Sequence, residues 1–175
     1  MKRDVGYWMR AAADMILPRV CVVCGGRLLL QEKHICLECA ADMPFTRFET
    51  MSHNPMADRL NEVIQRHIVA DDVSNGVPQS HERYAYASAL FLYKEDSGYK
   101  RIPYQIKYHG NLAVGRHFGR MLGRRLSGSD IFRDVDMVIP VPLHRLRRWK
   151  RGYNQAEVIA SEVASVLGAS LRTDI

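Results

Sequence analysis

Apolar residues recur every three or four positions over residues 112–126. Leu112, Val114, Phe118, Met121, Leu122 and Leu126 therefore share one face of a helix, which Asn111 is placed to cap. The same period returns over 154–167, gathering Val158, Ile159, Val163, Val166 and Leu167 ahead of a stop at Gly168. Between these helices, residues 135–141 form an apolar run rich in valine and isoleucine, bracketed by Asp134 and Pro142, and read as a buried strand. Residues 84–93 alternate aromatic and small apolar side chains, which suits another strand. Residues 99–109 read as a helix that Pro103 kinks or delays. Near the start, Trp8, Ala12, Met15 and Ile16 have helical spacing up to Pro18, and residues 28–30 are a short apolar strand candidate. The polar stretch 46–82, with turn signals at Asn54-Pro55 and Asn75-Gly76 and a helical segment near 56–68, reads as a connector. Three regions follow: 1–45 as a lead-in helix and cysteine module, 46–83 as connector, and 84–175 as an α/β unit.

The cysteines give the first region its chemistry. All four lie in two C-x-x-C pairs, Cys21/Cys24 and Cys36/Cys39, with eleven residues between the pairs. Two tight turns that each deliver two soft thiolates suit a tetrahedral zinc ion, and four-cysteine zinc sites are closed and structural. Gly25 and Gly26 let the first turn close, whereas Ala40 follows the second. His34 lies between the pairs, but four thiolates already satisfy the metal, so it is expected to be exposed. A module this small buries little on its own and depends on the metal.

Composition narrows the class. Of 175 residues, 47% are hydrophobic and 25% charged, the balance of a soluble globular chain. No apolar run reaches the roughly 18 residues that cross a bilayer, and Asp4, Arg10 and Asp14 interrupt any signal-peptide core. Paired cysteines read as metal ligands rather than disulfides fit a reducing compartment, so a cytoplasmic location is expected.

The net charge of +6 favours an anionic partner only slightly, but its distribution says more. Arg145, Arg147, Arg148, Lys150 and Arg151 crowd into seven positions between the strand at 135–141 and the helix that begins near Asn154. A cationic loop between a strand and a helix N-terminus makes a phosphate or pyrophosphate cradle. Its candidate contacts are Arg147, Arg148, Arg151, Gly152, Asn154 and Gln155. Gly152 would admit a close backbone approach, and Asn154 and Gln155 would either cap the helix or bind the anion. A solvated basic loop with an asparagine cap accounts for the same residues. Arg116, Arg120 and Arg124 form a second stripe along one helix face, read as solvated; the two patches would suit a nucleic-acid backbone if they faced the same way.

The segment VIPVPLH at 138–144, followed by RGYNQ at 151–155, resembles the signature of the ComF-like (competence protein F-like) family. QIKYHGN at 105–111 is similar to that family's K-Y-x-G stretch, and the double cysteine knuckle lies where the family carries a zinc ribbon. The resemblance covers about residues 15–45 and 84–168. It implies an α/β fold in which a small N-terminal zinc ribbon precedes a type I phosphoribosyltransferase-like domain. It also implies a pyrophosphate loop after Pro142 with Arg151, Asn154 and Gln155 in contact, and a role in DNA uptake or DNA metabolism. The family's later ribose-phosphate loop, an acidic pair followed by a Thr-Thr-Gly turn, does not occur after residue 155. The expectation is therefore an incomplete domain without transferase activity, in which Mg2+ with phosphoribosyl pyrophosphate would bind only once that part is present. Expected partners are single-stranded DNA or DNA-processing proteins and a phosphoribosyl ligand, with no membrane span. The competing reading is a non-catalytic, zinc-dependent module that binds nucleic acid or protein.

Overall fold

The computed structural model describes residues 18–75 and 84–174, so the helix expected over 5–17 lies outside the described residues. The chain is mixed α/β: six helices and one two-stranded sheet among the described residues. In chain order the helices are α1 (Leu37–Ala41), α2 (Pro55–Asn75), α3 (Arg101–Tyr108), α4 (Leu112–Ser127), α5 (Arg145–Arg151) and α6 (Gln155–Leu167). The strands are β1 (Met137–Val138) and β2 (Ser170–Leu171), and short 3-10 turns occupy Phe48–Thr50 and Gly98–Lys100.

One core runs from the cysteine module into the helices. Cys21, Val23, Leu28, Ile35 and Met43 pack with Tyr99, Ile102 and Ile106 of the α3 region and with Val114 and Phe118 of α4. Two polar ties cross the same seam: the Tyr99 hydroxyl donates to the Cys39 carbonyl (2.9 Å) and Arg101 donates to the Val23 carbonyl (3.2 Å). Pro103 falls in the first turn of α3, where its missing N–H has no helical partner to lose, so the helix starts late rather than kinking. Asn111 caps α4 by accepting from the Val114 amide.

Helices α4 and α6 make the most extensive contact in the fold, and glycine permits it. Gly115, Gly119 and Gly123 recur every fourth residue on the α4 face that meets α6. A Cβ on them would lie 3.1 Å from Val158 Cγ1, 3.0 Å from the Ile159 carbonyl oxygen and 2.9 Å from Val166 Cβ respectively. Glu162 of α6 pairs with Arg120 (2.8 Å) and lies 3.9 Å from Arg116, so two members of the basic stripe on α4 are held by an acid. At the other end of α4, Arg125 pairs with the buried Glu49 (2.7 Å) and sits over the Phe45 ring, while the Ser129 hydroxyl donates to the Glu49 carbonyl.

Four expected elements differ. Residues 28–30 form no strand; the nearest pairing is an isolated antiparallel bridge between Val20 and Arg27. Residues 84–93 form no strand beyond a single bridge between Phe45 and Phe91. Their backbone is engaged instead by side chains at the start of α2: Asn54, just before the helix, donates to the Ala87 carbonyl (2.9 Å), and Asn61 within it both donates to the Ala85 carbonyl (2.8 Å) and accepts from its amide (2.9 Å). Residues 135–141 contribute only Met137 and Val138 to the sheet, and the run is not buried: Met137, Ile139 and Val141 are 46%, 53% and 77% exposed. Helix α6 lies against both strands, but nothing among the described residues covers these outward positions. The basic stretch 145–151 is a helix, α5, rather than a loop. The His144 ring accepts from the Leu146 amide at its start, and Gly152 ends it with φ +75°.

Candidate functional site

The four cysteine thiols converge. Their sulfurs all lie within 4.8 Å of one another, and Cys24 Sγ is 3.8 Å from Cys36 Sγ. Zinc–sulfur bonds of about 2.3 Å in a tetrahedron place sulfurs about 3.8 Å apart, so this pair already has the spacing a metal requires. Backbone amides point at the sulfurs: Gly26 N–H to Cys24 (3.3 Å), Cys36 N–H to Cys21 (3.3 Å) and Cys39 N–H to Cys36 (3.5 Å). Such donors steady thiolate charge and orient the ligands. Gly25, at φ +78°, makes the turn that brings the Gly26 amide round to Cys24.

Burial pushes the Cys21 thiol up, but N–H donors from Cys24, Cys36 and Val23 outweigh it and bring the group down to about 7. Burial and the neighbouring thiols push Cys39 well up. Several thiolates in this space would repel one another, and a bound cation would relieve that repulsion. All four cysteines are free of disulfides. Their soft donor set, close convergence and amide support fit a metal ion such as zinc.

His34 is half-buried rather than exposed. Its ring meets that of His117 edge-on, at 5.3 Å between centroids, because the connection between the knuckles packs onto α4.

The second site arises at the ends of the strands. β1 and β2 are parallel, pairing Met137 with Ser170 and Val138 with Leu171, and α5 and α6 form the crossover between them. A crevice of about 660 Å³ opens beyond both carboxyl ends. Pro140, Pro142 and Leu143 line it after β1, with His144, Arg145 and Arg148 at α5, Asn154 and Glu157 at the start of α6, and Thr173 after β2. In open α/β sheets this is where ligands bind.

Helix α5 divides the candidate anion contacts between its two sides. Arg148 and Asn154 line the strand-end crevice. Arg147 and Arg151 line a separate cavity of about 440 Å³ with Lys107, Tyr108, Lys150 and Tyr153. Asn154 acts as a cap: it is buried, its side-chain oxygen accepts from the Ala156 amide (3.0 Å), and its amide group donates to the Val141 carbonyl (3.2 Å). It thereby pins the end of β1 to the start of α6. Gln155 accepts from Arg151 (3.0 Å), and Gly152 is the left-handed residue that ends α5.

Glu157 and Thr173 had no signal in the sequence as site residues, and Lys107 and Tyr108 of α3 stood out only as the K-Y of the K-Y-x-G-like stretch, not as cavity-lining residues. Thr173 follows a strand of only two residues, too short for a pattern, and Lys107 reaches its cavity only because α3 ends beside α5.

No helix among the described residues is long and apolar enough to cross a membrane. The chain matches no family model, no curated protein and no solved structure.

Proposed function

We propose that this chain is a ComF-like protein, in which a zinc-loaded four-cysteine ribbon carries a phosphoribosyltransferase-like, nucleotide-handling unit that serves DNA uptake or processing in the cytoplasm. The crevice at the strand ends holds the pyrophosphate of a phosphoribosyl ligand. The observation that carries this reading is the position of that crevice. It lies beyond the carboxyl ends of two parallel strands joined by helices, and it is lined by Arg145 and Arg148. Those guanidinium groups supply bidentate donors for phosphate oxygens. The N-terminus of α6, thirteen residues long, adds its partial positive charge. Among the described residues Glu157 is the one acid in the lining, with no acidic pair to meet ribose hydroxyls, so the reading is of ligand binding and not of group transfer. Mg2+, when bound together with the ligand, would neutralise part of its charge.

Calorimetric titration of the metal-loaded chain with phosphoribosyl pyrophosphate and with pyrophosphate, each with and without Mg2+, tests this. Both are expected to bind through the pyrophosphate group without Mg2+, weakened at least tenfold by R145E or R148E; an Mg2+-dependent gain for phosphoribosyl pyrophosphate is expected only with the ribose-phosphate loop present. Silence toward both ligands at millimolar concentration retires the reading.

A second reading, a non-catalytic module that holds single-stranded DNA or a DNA-processing protein, draws on α5 itself. Arg145, Arg147, Arg148 and Lys150 are all exposed on that seven-residue helix. It predicts DNA binding that weakens steeply with salt and disappears when Arg147, Arg148 and Arg151 are reversed in charge. Binding that survives the reversal removes it.

A further inference from the structure

The 440 Å³ cavity on the far side of α5 is not needed for the strand-end crevice, and its chemistry is more specific than surplus charge. Lys107, Arg147, Lys150 and Arg151 surround it, and among the described residues no acid lines it. Lys107, Arg147 and Lys150 have no ion-pair partner among the described residues, and Arg151 spends one nitrogen on the neutral Gln155 side chain. Cations at helix C-termini are ordinarily balanced by the helix dipole, and both α3 and α5 end here. Two such ends contribute about −0.5 charge each, which leaves four cations with a surplus of roughly +3. The site thus asks for a polyanion rather than a lone phosphate.

It also offers planar rings. Tyr108 is exposed over most of its surface, with the Arg151 guanidinium 5.2 Å from its ring centroid and Tyr104 in tilted contact at 4.8 Å. Tyr153, on the same wall, is fixed by its hydroxyl donating to the Ile106 carbonyl. An aromatic surface beside clustered cations recognises a base and its phosphates together. The volume falls within the range of small-ligand pockets, enough for one nucleotide.

We infer that the cavity between the C-terminal end of α3 and helix α5 is a nucleoside polyphosphate site, with Tyr108 stacking on the base and Lys107, Arg147 and Lys150 holding the phosphate chain. It is separate from the strand-end crevice and does not rest on what that crevice binds.

Adenosine triphosphate is the probe, titrated into the metal-loaded full chain. It should bind at least tenfold more tightly than adenosine monophosphate and than tripolyphosphate, since the first carries about half the charge and the second lacks the ring. Tyr108→Ala should weaken it roughly tenfold while Tyr108→Phe retains it, the stacking face being unchanged. Lys107→Glu should weaken adenosine triphosphate at least tenfold and leave phosphoribosyl pyrophosphate binding as it was. Excess phosphoribosyl pyrophosphate should leave the nucleotide bound. Displacement by phosphoribosyl pyrophosphate would overturn the inference by assigning the nucleotide to the strand-end crevice. Equal binding of tripolyphosphate, or a single-stranded oligonucleotide that adenosine triphosphate cannot displace, would overturn it too, as would no binding at millimolar nucleotide.

Discussion

At Gly123 one absent methyl group sets the distance between two helices. A Cβ there would sit 2.9 Å from Val166 Cβ and 3.3 Å from the Val163 Cα, so the backbones of α4 and α6 would have to separate. Alanine is the better helix former by about 1 kcal/mol, which partly offsets the clash. Overpacking of this kind costs about 1–3 kcal/mol, and the clash should win. Urea denaturation of Gly123→Ala is expected to show a lower midpoint, whereas Gly128→Ala, whose nearest neighbours stand 3.7 Å away, should change little. A stability equal to wild type for both would mean the helices are not held this close. His117 makes a second residue-scale prediction. Its buried Nε2 has no hydrogen-bond partner, and its ring is flanked by His34 and Phe118. Burial first, then the charges of His34, Arg120, Lys33 and Arg124, hold its pKa below the ordinary 6.5. The unfolded chain therefore binds a proton here before the folded one does, and stability is complete above about 6.5 and declines as pH falls below it. The denaturation midpoint should drop between pH 7.5 and 5.5, and His117→Phe should flatten that drop. A slope unchanged by the substitution would place the titrating group elsewhere.

Among the elements, the cysteine module and α3 stand or fall together. Val23, Leu28 and Ile35 share their core with Ile102, Val114 and Phe118, and Tyr99 and Arg101 tie α3 to carbonyls of the module. A metal that binds only the folded module stabilises it by about 4 kcal/mol when its free concentration is a thousand times the Kd. Chelation, or the pair Cys36→Ser and Cys39→Ser, should therefore lower the thermal midpoint of the whole chain and not only of residues 18–45. Protein purified without chelator should carry about one zinc; much less, or no loss of structure in the double serine variant, would count against the metal centre. The two C-x-x-C pairs were enough to place this site, because tight turns are local and the chain need only fold back once. The strand expected over 84–93 failed for the opposite reason. Its alternation of aromatic and small residues is real, but Asn54, just before α2, and Asn61 within it satisfy its backbone groups from a distance of more than twenty residues. Nothing local reveals that competition. The glycine stripe of α4 was visible as letters, yet only the arrival of α6 gives it meaning. The basic run at 145–151 was legible as clustered charge, but not that a helix would turn its arginines toward two different cavities.

Taken as a whole, the molecule leaves one sheet face open. Along residues 137–141 the pleat sends Val138 and Pro140 inward and Met137, Ile139 and Val141 outward, so three large apolar side chains form a continuous exposed row. Parallel sheets are normally covered on both faces, and α6 supplies cover on only one. The row also borders strands with unpaired edges among the described residues, a combination that favours contact between copies as concentration rises. Light scattering at increasing protein concentration should accordingly detect association, and Ile139→Lys or Val141→Lys should suppress it. Because both side chains already point into solvent, neither substitution should alter helix content or metal stoichiometry. The internal contact of α4 with α6 lies on the other side of the sheet and would be untouched. If the lysine variants associate as strongly as the parent, the open face is not the adhesive surface, and the exposed Trp149 and Leu146 of α5 become the next apolar positions to substitute.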